Sequence, residues 1–251
     1  MRVQSFRDLS CISLCRDQWL VLACDSVGGI GQMPQDSYRA NPEVVGHFAL
    51  RVPLMEIMAS GADPILVADT LMTKNDPYSQ AILAGMKDLV LNLRLDHEVL
   101  FNGSTEDNVV TVQTGVGVTV LGTATTEQLQ LGVAQKGQLL VVAGLPKSAP
   151  NDQIVIGDPE VLSLQDLQAL RRLAGVSDIV PVGSRGIQYE AHQLAKSAGL
   201  ACSFQETVLP LETSAGPSTC VVFACTDEGL QNACKAITAP VHVIGRLSMI
   251  Q

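Results

Sequence analysis

Short apolar runs of strand length alternate with segments of helical spacing along almost the whole chain, and this alternation restricts the fold more than any other feature. Apolar and β-branched runs bounded by turn residues predict strands, whereas apolar residues at every third or fourth position predict helices. In the first half, the predicted elements are, in chain order, strands at 8–14 and 18–25, a helix at 42–62, a strand at 64–73, a helix at 79–95, a strand at 97–103 and a long strand or hairpin at 108–125.

A second set of alternating elements follows a polar stretch near residues 128–137, where we place the boundary between two domains, 1–130 and 131–251. In the second half, the predicted elements are a strand at 137–146, a helix at 162–175, a strand at 177–183, a helix at 184–199, strands at 200–206 and 219–225, a helix at 227–237 and a strand at 241–247. Strands that alternate with helices predict a mixed α/β (α+β) fold in both domains.

The first predicted helix carries signals at both of its ends. Pro42 suits its first turn and Gly61 suits its C-terminal cap. Pro53 lies inside the apolar pattern, where a proline either kinks a helix or splits it in two. The glycine-rich segment 26–41, which precedes this helix, has no apolar period and predicts a long functional loop.

The composition narrows the classes of partner and compartment. The net charge is −9 and no cluster of Lys and Arg occurs, so the basic face that nucleic-acid binding requires is missing. Hydrophobic residues make up 47% of the chain but aromatic residues only 4%, which predicts an aliphatic core. No apolar run reaches the roughly 18 residues of a transmembrane helix, and the N-terminal segment lacks the apolar region of a signal peptide. The seven Cys form no C-x-x-C pair, which favours reduced thiols in a cytoplasmic protein.

Several common catalytic motifs are missing from the sequence. It contains no P-loop motif and no G-x-S-x-G motif. The glycines of GVGVTVLG lie inside a Val- and Thr-rich run rather than at a strand-to-helix turn, so they do not predict a dinucleotide site. The four His are scattered, which gives little support to a Ser-His-Asp triad or a His-based zinc site.

Carboxylates at the ends of predicted elements are the remaining candidates for chemistry, and all lie in the first half. They are Asp25, Asp36, Glu56, Asp69, Glu106 and Asp107. Such oxygen ligands suit Mg²⁺ held partly by substrate phosphates, and nearby glycines let backbone N–H groups approach phosphate oxygens. For any single carboxylate, a solvated surface position is the commoner explanation. Asp69 is the exception because it interrupts the apolar run PILVADTLM, where a charge needs a partner or a metal.

The second half contributes one candidate anion site. The segment PVGSRGI places Ser184 and Arg185 between a predicted strand and a predicted helix, where free N–H groups and the Arg charge suit an anion. An ordinary Ser-capped helix start explains the same residues equally well. The loop at 212–219 is read as a plain turn unless it faces the glycine-rich segment across the domain cleft.

The order of these features resembles the aminoimidazole ribonucleotide (AIR) synthase-like superfamily, which includes thiamine-monophosphate kinase, selenophosphate synthetase and the hydrogenase-maturation dehydratase. A strand ends in Asp (ACDSVGGIG), a helix ends in EIMASGADP, a strand contains Asp (VADTL), and the turn NGSTEDN precedes a long Val- and Thr-rich strand. The similarity covers most of the chain and is strongest over 21–124. It implies two α/β domains, a homodimer joined through the N-terminal domains, and a groove that binds ATP and Mg²⁺.

The sequence departs from the superfamily pattern at the turn. Asn102 replaces the first residue of the usual Gly-Gly-acidic-Thr turn, and Ser104 replaces its third. Because Ser104 cannot bind Mg²⁺ as a carboxylate would, Glu106 or Asp107 is expected in that role. Glu56 stands where relatives usually carry Asp.

The segments GSTEDN, TVQTGVGVTVLG and VGSRGIQYEAHQLA are most similar to a synthase-related branch that includes the α-ribazole kinase (α-ribazole-5′-phosphate synthase) of cobalamin salvage. The resemblance implies an ATP- and Mg²⁺-dependent kinase that acts on a nucleoside-like hydroxyl. The metal ligands are then Asp25, Glu56, Asp69 and Glu106. The cofactor-binding residues are then Gly28, Gly29, Gly31, Asn102, Gly103, Ser104, Thr105 and Ser184. The catalytic residues are then Asp25, Asp36 and Arg185, with Asp36 nearest the acceptor hydroxyl.

Two other functions stay open at this point. One is an ATP-dependent ligase or cyclase of the AIR-synthase type, which forms a new C–N bond and releases phosphate. The other is a nucleotide-binding regulatory homologue without turnover, which the residues at positions 102 and 104 favour.

Overall fold

The computed structural model describes residues 2–250. The first half contains eight strands and two helices, namely β1 Arg2–Phe6, β2 Leu9–Cys15, β3 Gln18–Gly28, β4 Ile30–Gly31, β5 Tyr38–Arg39, α1 Pro42–Ser60, β6 Asp63–Leu71, α2 Pro77–Asn92, β7 Leu100–Thr105 and β8 Gly115–Thr125. Six of these strands form one sheet with the order β1-β2-β3-β8-β6-β7. Its neighbours are antiparallel except for β6 and β7, which are parallel. The short strands β4 and β5 pair with each other.

Helices α1 and α2 cover one face of this sheet, and the strand alternation explains which residues they bury. Val116, Val118 and Val120 of β8 are buried beneath the helices. Thr119 and Leu121 point to the other face and are half-buried. The core is therefore aliphatic, as the composition predicts.

Helix α1 runs unbroken from Pro42 to Ser60, so Pro53 neither splits nor ends it. Pro42 lies in the first turn, and Gly61 closes the helix in the left-handed region with φ of 89°. Both boundary predictions are confirmed.

The second half forms a five-stranded, wholly antiparallel sheet. Its elements are β9 Leu139–Ala143, α3 Leu164–Arg171, β10 Val176–Pro181, α4 Gly186–Ser197, β11 Leu200–Phe204, β12 Val221–Cys225, α5 Asp227–Ala236 and β13 Val241–Met249. The strand order is β10-β12-β9-β13-β11. All predicted elements of this half exist, and the predicted division at 130/131 falls between β8 and β9. No helix within residues 2–250 is long and apolar enough to span a membrane.

The predicted elements of the first half omit β1, β4 and β5, and two local predictions are wrong. Strand β1 was not predicted, because RVQSF is largely polar and pairs with β2 only as an edge strand. The segment NGST is not a turn but the end of β7, which pairs in parallel with β6. Residues 108–114 are not a strand, and the long run becomes extended only from Gly115 onward.

Two buried arginines join the two halves of the chain. Arg7 forms a bidentate pair with Asp178 of β10, at 3.0 and 2.7 Å, and their side chains are 8% and 0% exposed. Arg51 of α1 donates hydrogen bonds to the carbonyl oxygens of Ser218 and Leu162 in the second half. Helix α1 thus packs against both sheets, and the cleft between the halves is held at two points.

Candidate active site between the two sheets

Asp25 lies near the end of β3, on the face of the first sheet that the helices cover. The strand register places Asp25, Val118, Asp69 and Gly103 in one row across four neighbouring strands. Residues opposite each other in a sheet point to the same face. Asp25 and Asp69 therefore share a face, with the buried Val118 between them.

Two cavities border Asp25, one on each side. The first, which we call the acidic cavity, has a volume of about 480 Å³ and is lined by Asp8, Asp25, Glu56, Ser184, Arg185 and Glu190, among others. The second, which we call the glycine-loop cavity, has a volume of about 350 Å³ and is lined by Asp25, Gly28, Ile30, Phe48, Gly216 and Pro217, among others. Both cavities take residues from the two halves of the chain, so the site exists only when the halves are docked.

The acidic cavity carries more carboxylates than positive charges, and the pKa values of three of these carboxylates are raised. Burial, followed by the charges of Asp8, Glu190 and Asp25, raises the pKa of Glu56 to about 8. Burial and the charge of Asp8 raise the pKa of Glu190 to about 7. Burial is also the main cause of a raised pKa at Asp25. Because these carboxylates are close together and partly shielded from water, they cannot all be ionised unless a cation binds among them.

Arg185 and Ser184 stand at the start of α4, on the rim of the acidic cavity. Arg185 occupies the cap position without a side-chain cap bond, so the alternative of a Ser-capped helix start is wrong. Its Nη1 donates to the Tyr189 hydroxyl at 2.8 Å, and its guanidinium lies 4.7 Å from the centre of the Tyr189 ring. An exposed cation is therefore held in a fixed orientation at the opening of the cavity.

The glycine-rich segment is fastened by Asp36, which is 9% exposed. Its Oδ1 accepts from the Thr114 N–H at 2.8 Å, and its Oδ2 accepts from the Met33 N–H at 2.8 Å and the Thr114 hydroxyl at 2.7 Å. Gly31 passes directly beneath, because a Cβ there would lie 2.2 Å from the Tyr78 hydroxyl oxygen and 2.8 Å from Asp36 Oδ2. Asp36 lines neither cavity beside Asp25, and these hydrogen bonds give it a structural role. Its catalytic role stays a prediction.

Comparisons with known proteins agree with this architecture. Residues 7–125, just under half of the chain, match the family model described as AIR synthase related protein, N-terminal domain. Comparison with proteins of curated function finds no match. The crystal structure of thiamine-monophosphate kinase from Stenotrophomonas maltophilia K279a is 17% identical, with a TM-score of 0.68, and the alignment covers 99% of this chain and 89% of that one.

Two further solved structures show the same overall arrangement. The hydrogenase maturation protein HypE from E. coli is 15% identical, with a TM-score of 0.67, over 92% of this chain and 80% of that one. PurL of T. maritima is 14% identical, with a TM-score of 0.66, over 95% of this chain and 42% of that one. The chain has the two-domain AIR synthase-like fold. The expected fold class is thereby confirmed, and the family match ends at Thr125, the last residue of the first sheet.

Strand β7 separates residues that were expected to act together. Gly103 points to the helix-covered face, and a Cβ there would lie 2.3 Å from Asp69 Oδ1. Asn102 and Ser104 alternate with it and point to the opposite face, beside Ala68 and Thr70 of β6. The structure therefore does not bring Asn102 and Ser104 to the cavities beside Asp25.

The carboxylates that follow β7 make local hydrogen bonds. Glu106 Oε1 accepts from the backbone N–H groups of Asn108 and Val109, at 2.8 and 3.1 Å. Asp107 accepts from the Thr105 hydroxyl at 2.6 Å and from the Asn75 N–H at 2.9 Å. Those hydrogen bonds lower the pKa of Asp107. Both carboxylates stabilise the loop and line neither cavity.

The predicted metal ligands are thus divided in space. Asp25 and Glu56 share the acidic cavity, whereas Asp69 is 4% exposed beside Gly103 and Glu106 binds its own loop. Within residues 2–250, no three His, Cys, Asp or Glu side chains converge closely enough to hold a metal ion. The oxygen donors of Asp25 and Glu56 fit Mg²⁺ that takes its remaining ligands from substrate phosphates and water.

Sequence reasoning missed two residues of the acidic cavity. Asp8 is the first residue of the predicted strand at 8–14, and the structure places it in the turn before β2. Glu190 is 6% exposed on α4, next to the buried Ala191 and three residues after the buried Ile187. Glu190 lies on the apolar side of a predicted helix, and this position could have identified it as a candidate site residue.

Proposed function

We propose that the protein is an ATP- and Mg²⁺-dependent phosphotransferase whose two substrates bind on either side of Asp25. The observation that carries the proposal is the position of Asp25 at the junction of a glycine-lined cavity and an acidic one. Phosphoryl transfer depends mostly on positioning and charge neutralisation, so it needs no protein nucleophile. HypE has been solved in complex with ATP and PurL with AMPPCP, which supports a nucleotide as one substrate.

The glycine-loop cavity suits the nucleotide. Ile30, Val45 and Phe48 give it apolar walls, and Gly28 leaves backbone open to phosphate oxygens, since no atom lies within 4 Å of where a Cβ would be. Asp25 and Glu56 would hold Mg²⁺, which neutralises the phosphate charge when bound. The proposed metal and nucleotide ligands are therefore these residues. Asp69 lies on the same face of the sheet but lines neither cavity.

The acidic cavity suits the acceptor molecule. Arg185, held by Tyr189 at the rim, would orient its phosphate or ribose. Glu190, whose pKa is raised to about 7, suits the uptake of the proton that the acceptor hydroxyl loses. The resemblance to the synthase-related branch makes α-ribazole, in cobalamin salvage, the first acceptor to try.

The test is an Asp25→Asn variant assayed for ADP formation with ATP, Mg²⁺ and α-ribazole. We expect kcat to fall at least about 100-fold with the thermal unfolding midpoint little changed, because a carboxamide cannot replace the charged ligand. Asp63→Asn, an exposed Asp at the start of β6, is the matched control and should keep wild-type activity. Wild-type turnover by Asp25→Asn would refute the assignment.

An AIR-synthase-type ligase remains the second candidate because PurL covers 95% of this chain at nearly the same TM-score as the kinase. The same assay separates the two reactions by their products. A kinase yields ADP and a phosphorylated acceptor, whereas a ligase or cyclase yields ADP, free phosphate and a new C–N bond. Nucleotide binding without either product would favour the inactive regulatory homologue.

We also propose that the first sheet joins two copies of the chain. Leu22, Leu121, Leu66 and Leu100 form one row across four strands, on the face away from the helices. Leu100 is 65% exposed, and a contiguous apolar row of this kind is typical of an interface. Light scattering should give a dimer for the wild type, a monomer for Leu121→Lys, and a dimer for the control Val208→Lys. A monomeric wild type would end this proposal.

A further inference from the structure

A third cavity, with a volume of about 460 Å³, lies on the far side of Phe48 from the glycine-loop cavity. We call it the Arg51 cavity. Its polar lining comes from α1, the end of α2, the start of α3 and the segments before α3 and β13. The polar lining residues are His47, Arg51, Asn92, Asp158, Ser163, Gln165 and Thr238. Its volume falls within the usual range for small-molecule sites, about 300–1,000 Å³.

Arg51 is a buried charge without a counter-charge. It is 3% exposed, and no carboxylate among the described residues lies within ion-pairing distance of it. Arg7, the other buried arginine of the domain junction, is by contrast fully paired with Asp178. A buried charge is costly unless it is paired, so an uncompensated guanidinium in a cavity wall indicates an anion that binds there.

One nitrogen of Arg51 is free to bind such an anion. Nε donates to the Ser218 carbonyl at 3.3 Å, and Nη2 donates to the carbonyls of Ser218, at 3.0 Å, and Leu162. Nη1 has no acceptor within residues 2–250. Among the described residues, the side-chain atoms that are both fully enclosed and without a partner are Gln130 Oε1 and two nitrogens of Arg171. Nη1 of Arg51 also has no partner among these residues but is not fully enclosed. Nη1 therefore borders open space, and the open space beside Arg51 is this cavity.

The other charged groups near the cavity are already occupied or neutral. Asp158 is paired with Lys147 at 2.7 Å, and Lys147 also pairs with Glu160 at 2.6 Å. Asp166 accepts hydrogen bonds from Thr238 at 2.8 and 3.2 Å. His47 lies beside Arg51, and burial together with that charge lowers its pKa to about 4, so it is neutral at pH 7. Among the described residues of the lining, Arg51 is therefore the one cationic side chain, and it forms no ion pair with these carboxylates.

The start of α3 adds a second favourable group. Ser163 caps this helix by accepting the Asp166 N–H at 2.9 Å, and Ser163, Leu164 and Gln165 line the cavity. The first backbone N–H groups of a helix carry a partial positive charge and favour anions. Arg51 and the start of α3 thus border the same cavity.

We propose that the Arg51 cavity is a second ligand site, which binds a compact molecule with a phosphate or carboxylate head and an apolar body. The head pairs with Arg51 Nη1 and the start of α3, and the body contacts Phe48, Leu89 and Ile156. The site is separate from the two cavities beside Asp25. It is linked to the acidic cavity because Arg51 donates a hydrogen bond to the carbonyl oxygen of Ser218, a residue that lines that cavity.

Calorimetric titration of the full chain with phenyl phosphate and with benzoate tests the site and separates the two head groups. We expect at least one probe to bind the wild type, and Gln165→Glu to weaken that binding about tenfold or more, because a rim carboxylate competes for Arg51. Gln168→Glu adds the same charge to the same helix but lines a different cavity, so its affinity should equal that of the wild type.

Arg51→Met should abolish binding, while Asp25→Asn, beside the other two cavities, should leave it unchanged. Arg51→Met also breaks the contact between the domains. If that variant does not fold, the comparison of Gln165→Glu with Gln168→Glu decides. No heat of binding from either probe up to about 10 mM would overturn the proposal. Equal affinities of Gln165→Glu and Gln168→Glu would overturn it as well, and Arg51 would then be a domain contact alone.

Discussion

At the residue scale, the position of Glu56 shows how a half-buried carboxylate can hold a proton at neutral pH. It stands on α1 and faces the same cavity as Asp8, Asp25 and Glu190. Burial is the largest cause of its raised pKa, and the neighbouring carboxylates add to it. Mg²⁺ or a positively charged substrate would reverse this shift, so the cavity is suited to a cation that arrives with the reactants.

The shift at Glu56 predicts a pH dependence of stability. Its pKa is about 8 in the folded chain against an ordinary value of 4.5, so between these values the folded state holds a proton that the unfolded state has released. The contribution of Glu56 to the free energy of unfolding should therefore fall as the pH rises from about 4.5 to 8. His47, whose pKa is lowered to about 4, contributes in the opposite direction up to about pH 6.5, so the fall should be clearest between pH 6.5 and 8. Urea denaturation without Mg²⁺ at pH 5, 6.5 and 8 measures this slope.

Glu56→Gln should flatten that slope, since the amide does not titrate. Glu190 contributes in the same direction, so some slope should persist in the variant. Glu43→Gln, an exposed position in the first turn of the same helix, is the control and should keep the wild-type slope. Identical slopes for Glu56→Gln and the wild type would contradict the burial of this carboxylate.

At the element scale, β7 shows why local sequence misled the prediction. Asn-Gly is a strong turn signal, yet residues 102–105 extend β7 because β6 pairs with them along their length. Gly103 is required there for another reason, because the Asp69 carboxylate fills the space of a Cβ. The residue types favour a turn, but pairing with β6 makes the segment a strand.

The glycine-rich segment gives a second prediction at this scale. Asp36→Ala removes the acceptor of two backbone N–H groups and one hydroxyl, which should cost about 1–3 kcal/mol of unfolding free energy. Urea denaturation measures the loss, and limited proteolysis should show cleavage within residues 29–37. The neighbouring Ser37→Ala is the control. A variant at position 36 that is fully stable yet inactive would instead support the catalytic role.

At the scale of the whole molecule, the pair of Arg7 and Asp178 holds the hairpin turn between β1 and β2 against the second sheet. Asp178 also accepts the Gly132 N–H at 2.9 Å, and Arg7 donates to the Ser197 hydroxyl at 2.6 Å. The pair thus joins the two sheets close to the segment that connects them. Because both cavities beside Asp25 lie between the halves, we expect this contact to help keep their two walls in position.

Arg7→Met should lower the free energy of unfolding by about 3–5 kcal/mol, because it leaves the Asp178 charge buried and unpaired. The double variant Arg7→Met/Asp178→Asn should lose less, since its carboxamide carries no charge and keeps an acceptor for the Gly132 N–H. Guanidinium denaturation of the three chains gives the comparison. A double variant less stable than Arg7→Met would show that the pair is not the reason for the loss.

The sequence by itself determined the classes of element and the two α/β halves, and it predicted Asp25, Glu56 and Arg185 as candidate site residues. These follow from apolar period, caps and charges in apolar runs, which are local properties. Only the tertiary structure decided which carboxylates meet. Asp8 and Glu190, far apart in sequence, join Asp25 and Glu56 in one cavity, whereas β-strand alternation turns Asn102 and Ser104 away. Side-chain direction in a sheet and the docking of two domains are long-range properties, which no local pattern encodes.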